Sequence, residues 1–227
     1  MPATPTPSAF PPPGPVTLRA VTPADRAALG AVAHATGFFG EPARYFPDRA
    51  LFTALWIDPY LRGGVGCLLA ERDGQLLGYV LGRADPGGYR RALLAAAGRV
   101  AGRIVRPDTR LSLRYLLRAA RHPGPHADER QYPAHLHLNL LPGARGQGVG
   151  RQLLLAHLQA LRDAGVPGTQ LSTTTENVAA LRLYTRAGFE VAAQRDSDLW
   201  TPWLGRPARH VVMVQSLRAP SPATPAG

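Results

Sequence analysis

The sequence predicts a mixed α/β fold, on three observations. From His135 to Ala187 it reads strand, glycine-rich turn, helix, strand, helix, an order that implies a parallel pair of strands joined by a crossover. Two apolar runs joined by Arg72-Asp73-Gly74-Gln75 read as an antiparallel hairpin, because Asp-Gly accepts the positive φ angles of a tight turn. The length of 227 residues with 45% apolar content allows one sizeable core and is short for two full domains.

Taken in order, residues 1–15 are proline-rich and predict a disordered or polyproline-like arm. Val16 to Ala20 alternates as a strand. Thr22-Pro23-Ala24-Asp25 follows, with a capping threonine and a proline at the first helical position, and opens a helix to about Ala35. A second helical region spans Pro42 to Trp56, interrupted by Pro47 and ending near Asp58-Pro59. Cys67 to Glu71 and Leu76 to Leu81 are the hairpin strands. Gly88 to Arg121 reads as two Ala/Leu/Arg-rich helices divided at Pro107-Asp108, with Asp108 or Thr109 as the cap of the second. After the strand His135 to Leu141 come a helix (Val149 to Ala164), a strand (Thr169 to Thr174), a helix (Val178 to Ala187) and two strands, Glu190 to Arg195 and Arg209 to Ser216. Residues 219–227 predict a second disordered tail. The folded unit is therefore 16–218, a sheet of about seven strands with a helical insert, 85–130, before the fourth.

Twenty-six basic residues against fifteen acidic ones leave a net charge of +11, and every basic residue is arginine, because the chain contains no lysine. Such a charge suits a polyanionic partner, whether nucleic acid, a membrane surface or a phosphorylated cofactor, without choosing among them. A codon bias toward Arg, Ala, Gly and Pro accounts for it equally well. The single cysteine, Cys67, excludes a disulfide framework, and no Cys/His spacing of the zinc type is present, so no metal is expected. There is no basic-then-apolar leader and no run of about 18 apolar residues. The expected compartment is the cytoplasm.

The most informative segment is Leu141-Pro142-Gly143-Ala144-Arg145-Gly146-Gln147-Gly148-Val149-Gly150-Arg151. A strand runs into alternating glycines and then a helix. The glycines remove Cβ atoms from a ligand's path, and the free N–H groups at the helix start, reinforced by the helix dipole, attract an anion. Arg145 and Arg151 add charge at either end, and a diphosphate is the natural occupant. A dinucleotide fingerprint would need a third glycine where Arg151 or Leu153 stands and an acid about 20 residues on, where Thr169 to Thr174 offers none. A P-loop needs a lysine. A plain structural turn stays open.

Arg145-x-x-Gly148-x-Gly150, preceded by Pro142 and followed by Asn177-x-x-Ala180-x-x-x-Tyr184-x-x-x-Gly188-Phe189, resembles the two acetyl-CoA motifs of the GNAT superfamily of N-acetyltransferases. The run Tyr132-Pro133-Ala134-His135-Leu136-His137-Leu138 also looks like bacterial relatives of the acetyltransferase-like domain of O-GlcNAcase, which carry an insert before this strand. The motif-bearing half is His135 to Phe189, and the N-terminal half is compatible in its element order. The resemblance implies transfer of an acetyl group from acetyl-CoA to an amine by direct attack. It places the pyrophosphate on the backbone of Arg145, Gly146, Gln147, Gly148, Val149, Gly150 and Arg151. The pantetheine arm would follow Leu140 and Leu141 on a strand splayed from its parallel neighbour, with the Asn177 side chain close by.

The resemblance makes Tyr184 the acid that protonates the departing thiolate, which the chemistry requires. Asn177, Leu181, Tyr184 and Gly188 share one helical face. A core tyrosine is the alternative. The base is less defined. Alternation puts His135, His137 and Asn139 on one face of their strand and the leucines on the other. Asn139 cannot accept a proton, so His137 is the leading candidate and His135 the next. Glu176 is a further candidate, or simply a carboxylate near a helix N-terminus. Glu41, Asp48 and Asp58 stand where the family builds its acceptor wall, and any of them could hold a cationic amine.

The insert holds ten arginines against four acids, six of the eleven net charges. Arg99, Arg103 and Arg106 share one helical face, and Arg110, Arg114, Arg118 and Arg121 another. A solvated face is the leading reading. A cover over the acceptor site, a nucleic-acid surface or a partner surface are the others, and nucleic acid is disfavoured because aromatic interleaving is limited to Tyr89 and Tyr115. The expected partners are a CoA thioester and an unidentified amine, without a membrane; a homodimer is left open. The competing functions are a non-catalytic acyl-CoA-binding module and an arginine-driven nucleic-acid binder.

Overall fold

The computed structural model of the chain describes residues 14–99 and 101–218; the expected arm, save its last two residues, and the expected tail lie outside them. Among the described residues seven strands form one sheet in the order β1-β2-β3-β4-β5-β7-β6. The strands are β1 (Thr17–Ala20), β2 (Leu68–Arg72), β3 (Gln75–Arg83), β4 (Ala134–Leu140), β5 (Gly168–Thr174), β6 (Glu190–Ser197) and β7 (Ala208–Ser216). Helices α1 (Arg26–Thr36), α2 (Arg49–Trp56), α3 (Asp58–Leu61), α4 (Pro86–Arg99), α5 (Pro107–Arg121), α6 (Val149–Asp163), α7 (Val178–Arg186) and α8 (Thr201–Leu204) flank it.

Local chemistry explains most of these boundaries. The Asp25 carboxylate accepts the Thr22 N–H at 2.8 Å and so closes the entry to α1 through a single 3-10 turn. At the β2–β3 hairpin Asp73 and Gly74 have φ of 51° and 75°, the pair of positive angles that an Asp-Gly turn supplies. Helices α4 and α5 form the insert before β4.

Four boundaries differ from expectation. The first insert helix, expected to run to Pro107, ends at Arg99 and is followed by a 3-10 segment, Ala101–Val105, so Arg99, Arg103 and Arg106 do not stand on one continuous helix. Pro42 to Asp48 is loop rather than helix, because helix formation waits for Asp48, whose carboxylate accepts the N–H groups of Ala50 and Leu51 and caps α2. Asp58-Pro59 does not end that region; proline in the first turn starts the short α3. Helix α5 starts at Pro107 behind Arg106, so neither Asp108 nor Thr109 is its cap, and Asp108 lies in the first turn, where its charge meets the helix dipole. The turn and helix from Asp198 to Leu204 between β6 and β7 had no counterpart in the expected elements.

Each face of the sheet carries its own core. On one, Tyr79 and Leu81 of β3 pack with Leu29, Phe46, Phe52, Ile57 and Tyr60 beneath α1 to α3. On the other, Val80 joins Leu136, Val149, Leu153, Leu158, Leu171 and Tyr184 beneath α6 and α7. The expected alternation along β4 is present: Leu136, Leu138 and Leu140 enter the second core, whereas the rings of His135 and His137 lie 5.8 and 5.3 Å from Tyr60 on the first face.

One irregularity positions the site. Strands β4 and β5 pair in parallel only at Ala134↔Thr169 and His135↔Gln170. Beyond that point β4 continues against β3 up to Leu140, and β5 against β7 up to Thr174, so the two central strands diverge. The sheet opens as a V between Leu136–Leu140 and Leu171–Thr174.

Candidate active site

The V leads to the glycine loop. A 3-10 turn at Pro142–Ala144 follows β4, and Gly146 and Gly148 then take φ of 75° and 78°, the left-handed region in which a side chain is strained. A Cβ at either would meet nothing within 4 Å, so backbone conformation, rather than crowding within the chain, requires these glycines. Gly148 is the N-cap of α6, and the first backbone bond of that helix runs from Gln152 N–H to the Gly148 carbonyl. The N–H groups of Gly148, Val149, Gly150 and Arg151 therefore have no acceptor within the helix. Gly150 answers a different need: a Cβ there would stand 3.0 Å from Leu140 Cδ1 and 3.4 Å from Leu183 Cδ2, so its absence lets α6 close on β4 and α7.

The arginines of the loop differ. Arg145 Nη2 donates to the carbonyls of Gly40 and Leu140, so its side chain ties the loop to the turn after α1. Arg151 is exposed. Gln147 donates to the Gly143 carbonyl and accepts from Arg72 Nη1 at 2.8 Å, bracing the loop from within and from the β2–β3 turn.

Within the V lies a cavity of about 290 Å³. It brings together His137, Asn139, Asn177 and Tyr184, although they come from β4, the start of α7 and its last turn. Asn177 caps α7, its Oδ1 accepting the Ala180 N–H at 3.3 Å. Tyr184 is 6% exposed, and burial raises its phenol well above its ordinary value, so it stays protonated in neutral solution. Burial, aided by His135, pushes the His137 imidazole down to about 4. It is therefore neutral at pH 7, with a lone pair free for a proton, and the same burial makes it a weaker acceptor than an exposed imidazole. Asn139 donates to Thr36 Oγ1 at 2.8 Å, and Thr36 in turn to the Val32 carbonyl at 2.7 Å.

His135 belongs elsewhere. Its ring meets Tyr89 edge-on at 4.3 Å, and it lines a second cavity of about 410 Å³ between the insert and the base of the V. Burial, with the charge of Arg83, pushes it down to about 4. Leu136, His137, Leu171 and Ser172 line both cavities.

The carboxylates expected near the acceptor face neither cavity as free anions. Glu176 accepts from Arg206 at 2.8 Å, and Asp58 is held by Arg26 at 2.6 and 3.1 Å. Asp48 is 1% exposed and saturated: Arg103, Thr109 and the amides of Ala50 and Leu51 all donate to it. Glu41 is exposed in the tight turn that pairs it with Phe38. None of the four lines either cavity.

The insert is in large part a solvated face, with Arg90, Arg91, Arg106, Arg110, Arg114, Arg121 and Arg130 exposed, but two of its arginines are used otherwise. Arg103 reaches Asp48, Arg118 donates to the carbonyls of Leu199 and Asp198, and Arg90 pairs with Glu129 at 3.2 Å. Arg103 and Arg118 bind the insert to the body of the protein, Arg90 and Glu129 pair within the insert, and Tyr115 of α5 forms part of the wall of the cavity in the V.

What the sequence did not reveal is the aromatic wall. Phe39, Phe52, Trp56, Tyr115 and Trp200 line the cavity from four separate segments, and His210 joins them, its Nε2 accepting from Trp200 Nε1 at 3.2 Å. Phe52 and Trp56 stand four residues apart on one helical face, but no spacing rule links them to Phe39, Tyr115 or Trp200.

Known proteins agree with this geometry. The acetyltransferase (GNAT) family model matches residues 34–189. A mycothiol acetyltransferase of Cellulomonas flavigena is 33% identical over 173 residues, 76% of this chain and 38% of that protein, and one from a Parafrankia species is 30% identical over 181 residues, covering 78% and 47%. The chain thus spans less than half the length of these curated relatives. Among solved structures, SsHAT superposes with a TM-score of 0.68 at 27% identity over 90% of this chain and 99% of its own. The structure of yncA from Salmonella typhimurium with its cofactor acetyl-CoA superposes at 0.59 and 19% identity over 94% and 100%. With the family model covering most of the folded unit, and the splayed central strands and glycine loop in place, the chain belongs to the acetyltransferase (GNAT) family.

Proposed function

We propose that this protein is an acetyl-CoA-dependent N-acetyltransferase that joins the acetyl group directly to an amine, with the V between β4 and β5 as its active site. The observation that carries the reading is the limitation of the β4–β5 ladder to two residue pairs, directly beside a helix N-terminus with unpaired N–H groups. The arrangement suits a long ligand with a diphosphate at one end and a thioester at the other. The backbone of Arg145 to Arg151 would hold the diphosphate. The open edge of β4 up to Leu140 and Leu141 would hydrogen-bond the amides of the pantetheine arm, and Asn177 would border it.

Acetyl-CoA supplies an activated acetyl group, and the residues supply proton traffic. His137, neutral at pH 7, accepts a proton from the attacking amine. Tyr184, still protonated, donates one to the sulfur as the C–S bond breaks. A covalent acetyl-cysteine route has no support: Cys67 lines neither cavity, its Sγ hydrogen-bonds the Gly82 backbone at 3.4 Å, and burial pushes its thiol up.

Calorimetry with acetyl-CoA, followed by CoA release over an amine panel, tests the reading. A defined binding heat and amine-dependent release are expected. No heat at saturating acetyl-CoA sinks the proposal, and binding without turnover on any amine favours an acyl-CoA-binding module.

A further inference from the structure

Among its described lining residues the 290 Å³ cavity carries no carboxylate and no guanidinium. Its charged-group count is zero even though the surrounding protein carries +11. The polar groups that remain are the amides Asn139 and Asn177, hydroxyls, and two histidines that burial pushes down, His137 to about 4.

On the insert-facing side the wall is aromatic. Phe52 and Trp56 stack in parallel at 4.4 Å with 3° between their planes. Phe39 meets Trp200 edge-on at 5.1 Å, and Tyr115 lies 5.4 Å from Trp200. Trp56 and Phe39 are only half-buried, so both keep surface for a ligand. Resting on the acetyl-transfer reading above, we infer that the acceptor is a monoamine on an aromatic carrier, seated against Phe39, Trp56 and Trp200 with its nitrogen toward His137.

Physical costs select this class. A second ammonium, as in a polyamine, or a carboxylate, as in an amino acid, would be buried without a counter-ion, which costs several kcal/mol. On the aromatic side a polyhydroxylated amine would surrender hydration to ring faces. The groups that could replace that hydration, Ser172, Thr173, Thr174 and Asn177, stand on the β5 and α7 side that borders the pantetheine arm. An aromatic carrier gains offset or edge contacts with the wall. Its single amine loses charge readily in such surroundings, since burial favours the neutral form, and the ring faces attract whatever ammonium fraction remains. The size also fits: a cavity of about 150 Å³ holds benzene, so this one has room for a one- or two-ring amine beside the thioester end. The neutral amine nitrogen bonds to the acetyl carbon and the C–S bond breaks. His137 takes one N–H proton, Tyr184 gives one to sulfur, the proton on His137 returns to the Tyr184 phenolate by way of solvent, and the products are the N-acetyl amine and CoA thiol.

The test is CoA release at saturating acetyl-CoA with 2-phenylethylamine, tryptamine, spermidine, glucosamine and glycine. The two aromatic amines should show kcat/KM at least tenfold above the rest. Trp56→Leu should raise KM for tryptamine at least tenfold and leave KM for acetyl-CoA within twofold. Should Trp56→Leu fail to fold, Phe39→Ala serves in its place, and quenching of tryptophan fluorescence by 2-phenylethylamine in the CoA-loaded protein reads binding without turnover. A preference for spermidine, glucosamine or glycine overturns the inference and leaves acetyl transfer standing. An acetyl-CoA binding heat with no use of either aromatic amine overturns it too, and turnover of another amine in the panel then decides whether acetyl transfer stands. Absence of any acetyl-CoA binding overturns the transfer reading itself, and this inference with it.

Discussion

Asp48 and Arg103, 55 residues apart, meet through two hydrogen bonds, Nε to Oδ2 at 3.1 Å and Nη2 to Oδ1 at 3.0 Å. The same carboxylate caps α2 through Ala50 and Leu51 and accepts from Thr109 of α5, while the Asp48 N–H donates to Ser112 Oγ at 3.0 Å. One aspartate thus ties the insert to α2, and with it Tyr115 to Phe52 and Trp56 in the cavity wall. Burial by itself would raise this carboxyl; Arg103, Thr109 and the Leu51 amide outweigh that and bring it to about 2.

Removing Asp48 should therefore loosen the insert. Asp48→Ala strands Arg103 and uncaps α2, at a cost of about 3 kcal/mol, the low end for a buried pair because Arg103 keeps some contact with water. A fall in Tm of about 6–12 °C is expected for a chain of this size. Calorimetric melting measures it, and a change under 2 °C would show that the tie is dispensable.

Acid should destabilise the fold well before Asp48 titrates. His135 and His137 are both lowered to about 4 from the usual 6.5, so between those values the unfolded chain binds more protons than the folded one. Stability present above pH 6.5 is lost as pH falls toward 4, by about 1.4 kcal/mol per unit for each imidazole. Melting at pH 7 and pH 5 should show the drop, and His137→Asn should remove that imidazole's share of it while His135, with His157 and His210, keeps the rest. An unchanged slope in that variant would remove His137 from the account.

The glycine loop separates conformation from space. Gly148→Ala forces a Cβ into the left-handed region at a cost of about 1–2 kcal/mol and should weaken acetyl-CoA binding at least tenfold. Gly143→Ala, with equally open surroundings and no positive φ, should leave binding within twofold. Isothermal titration of both variants decides it, and equal effects would point away from a backbone cradle.

Tyr184→Phe removes a hydroxyl and little volume. If Tyr184 protonates the leaving sulfur, kcat should fall by about 100-fold, with KM for acetyl-CoA nearly unchanged. Steady-state CoA release measures both. Retained kcat would make Tyr184 a core residue packed on Phe189, which lies 5.6 Å away.

Much was legible in the sequence because much is local. The hairpin at Asp73-Gly74, the glycine loop, the alternation of His135, His137 and Asn139, and the helical face bearing Asn177 and Tyr184 all follow from spacings of two to eleven residues and from backbone angles that few residues accept. The family resemblance rested on the same short segments. Asp48, Asp58 and Glu176 were harder to read, because a carboxylate's availability depends on whether an arginine from elsewhere has already taken it.

By itself the sequence determined the mixed α/β class, the strand–loop–helix cradle and the residues that border it, since each is written in contiguous chain. Only the tertiary structure decided how far β4 stays paired with β5, which carboxylates are spent on Arg26, Arg103 and Arg206, and which rings from four distant segments form one wall. Those outcomes depend on packing across the sheet, where a side chain's partner is chosen by distance in space and by the cost of burying a charge alone.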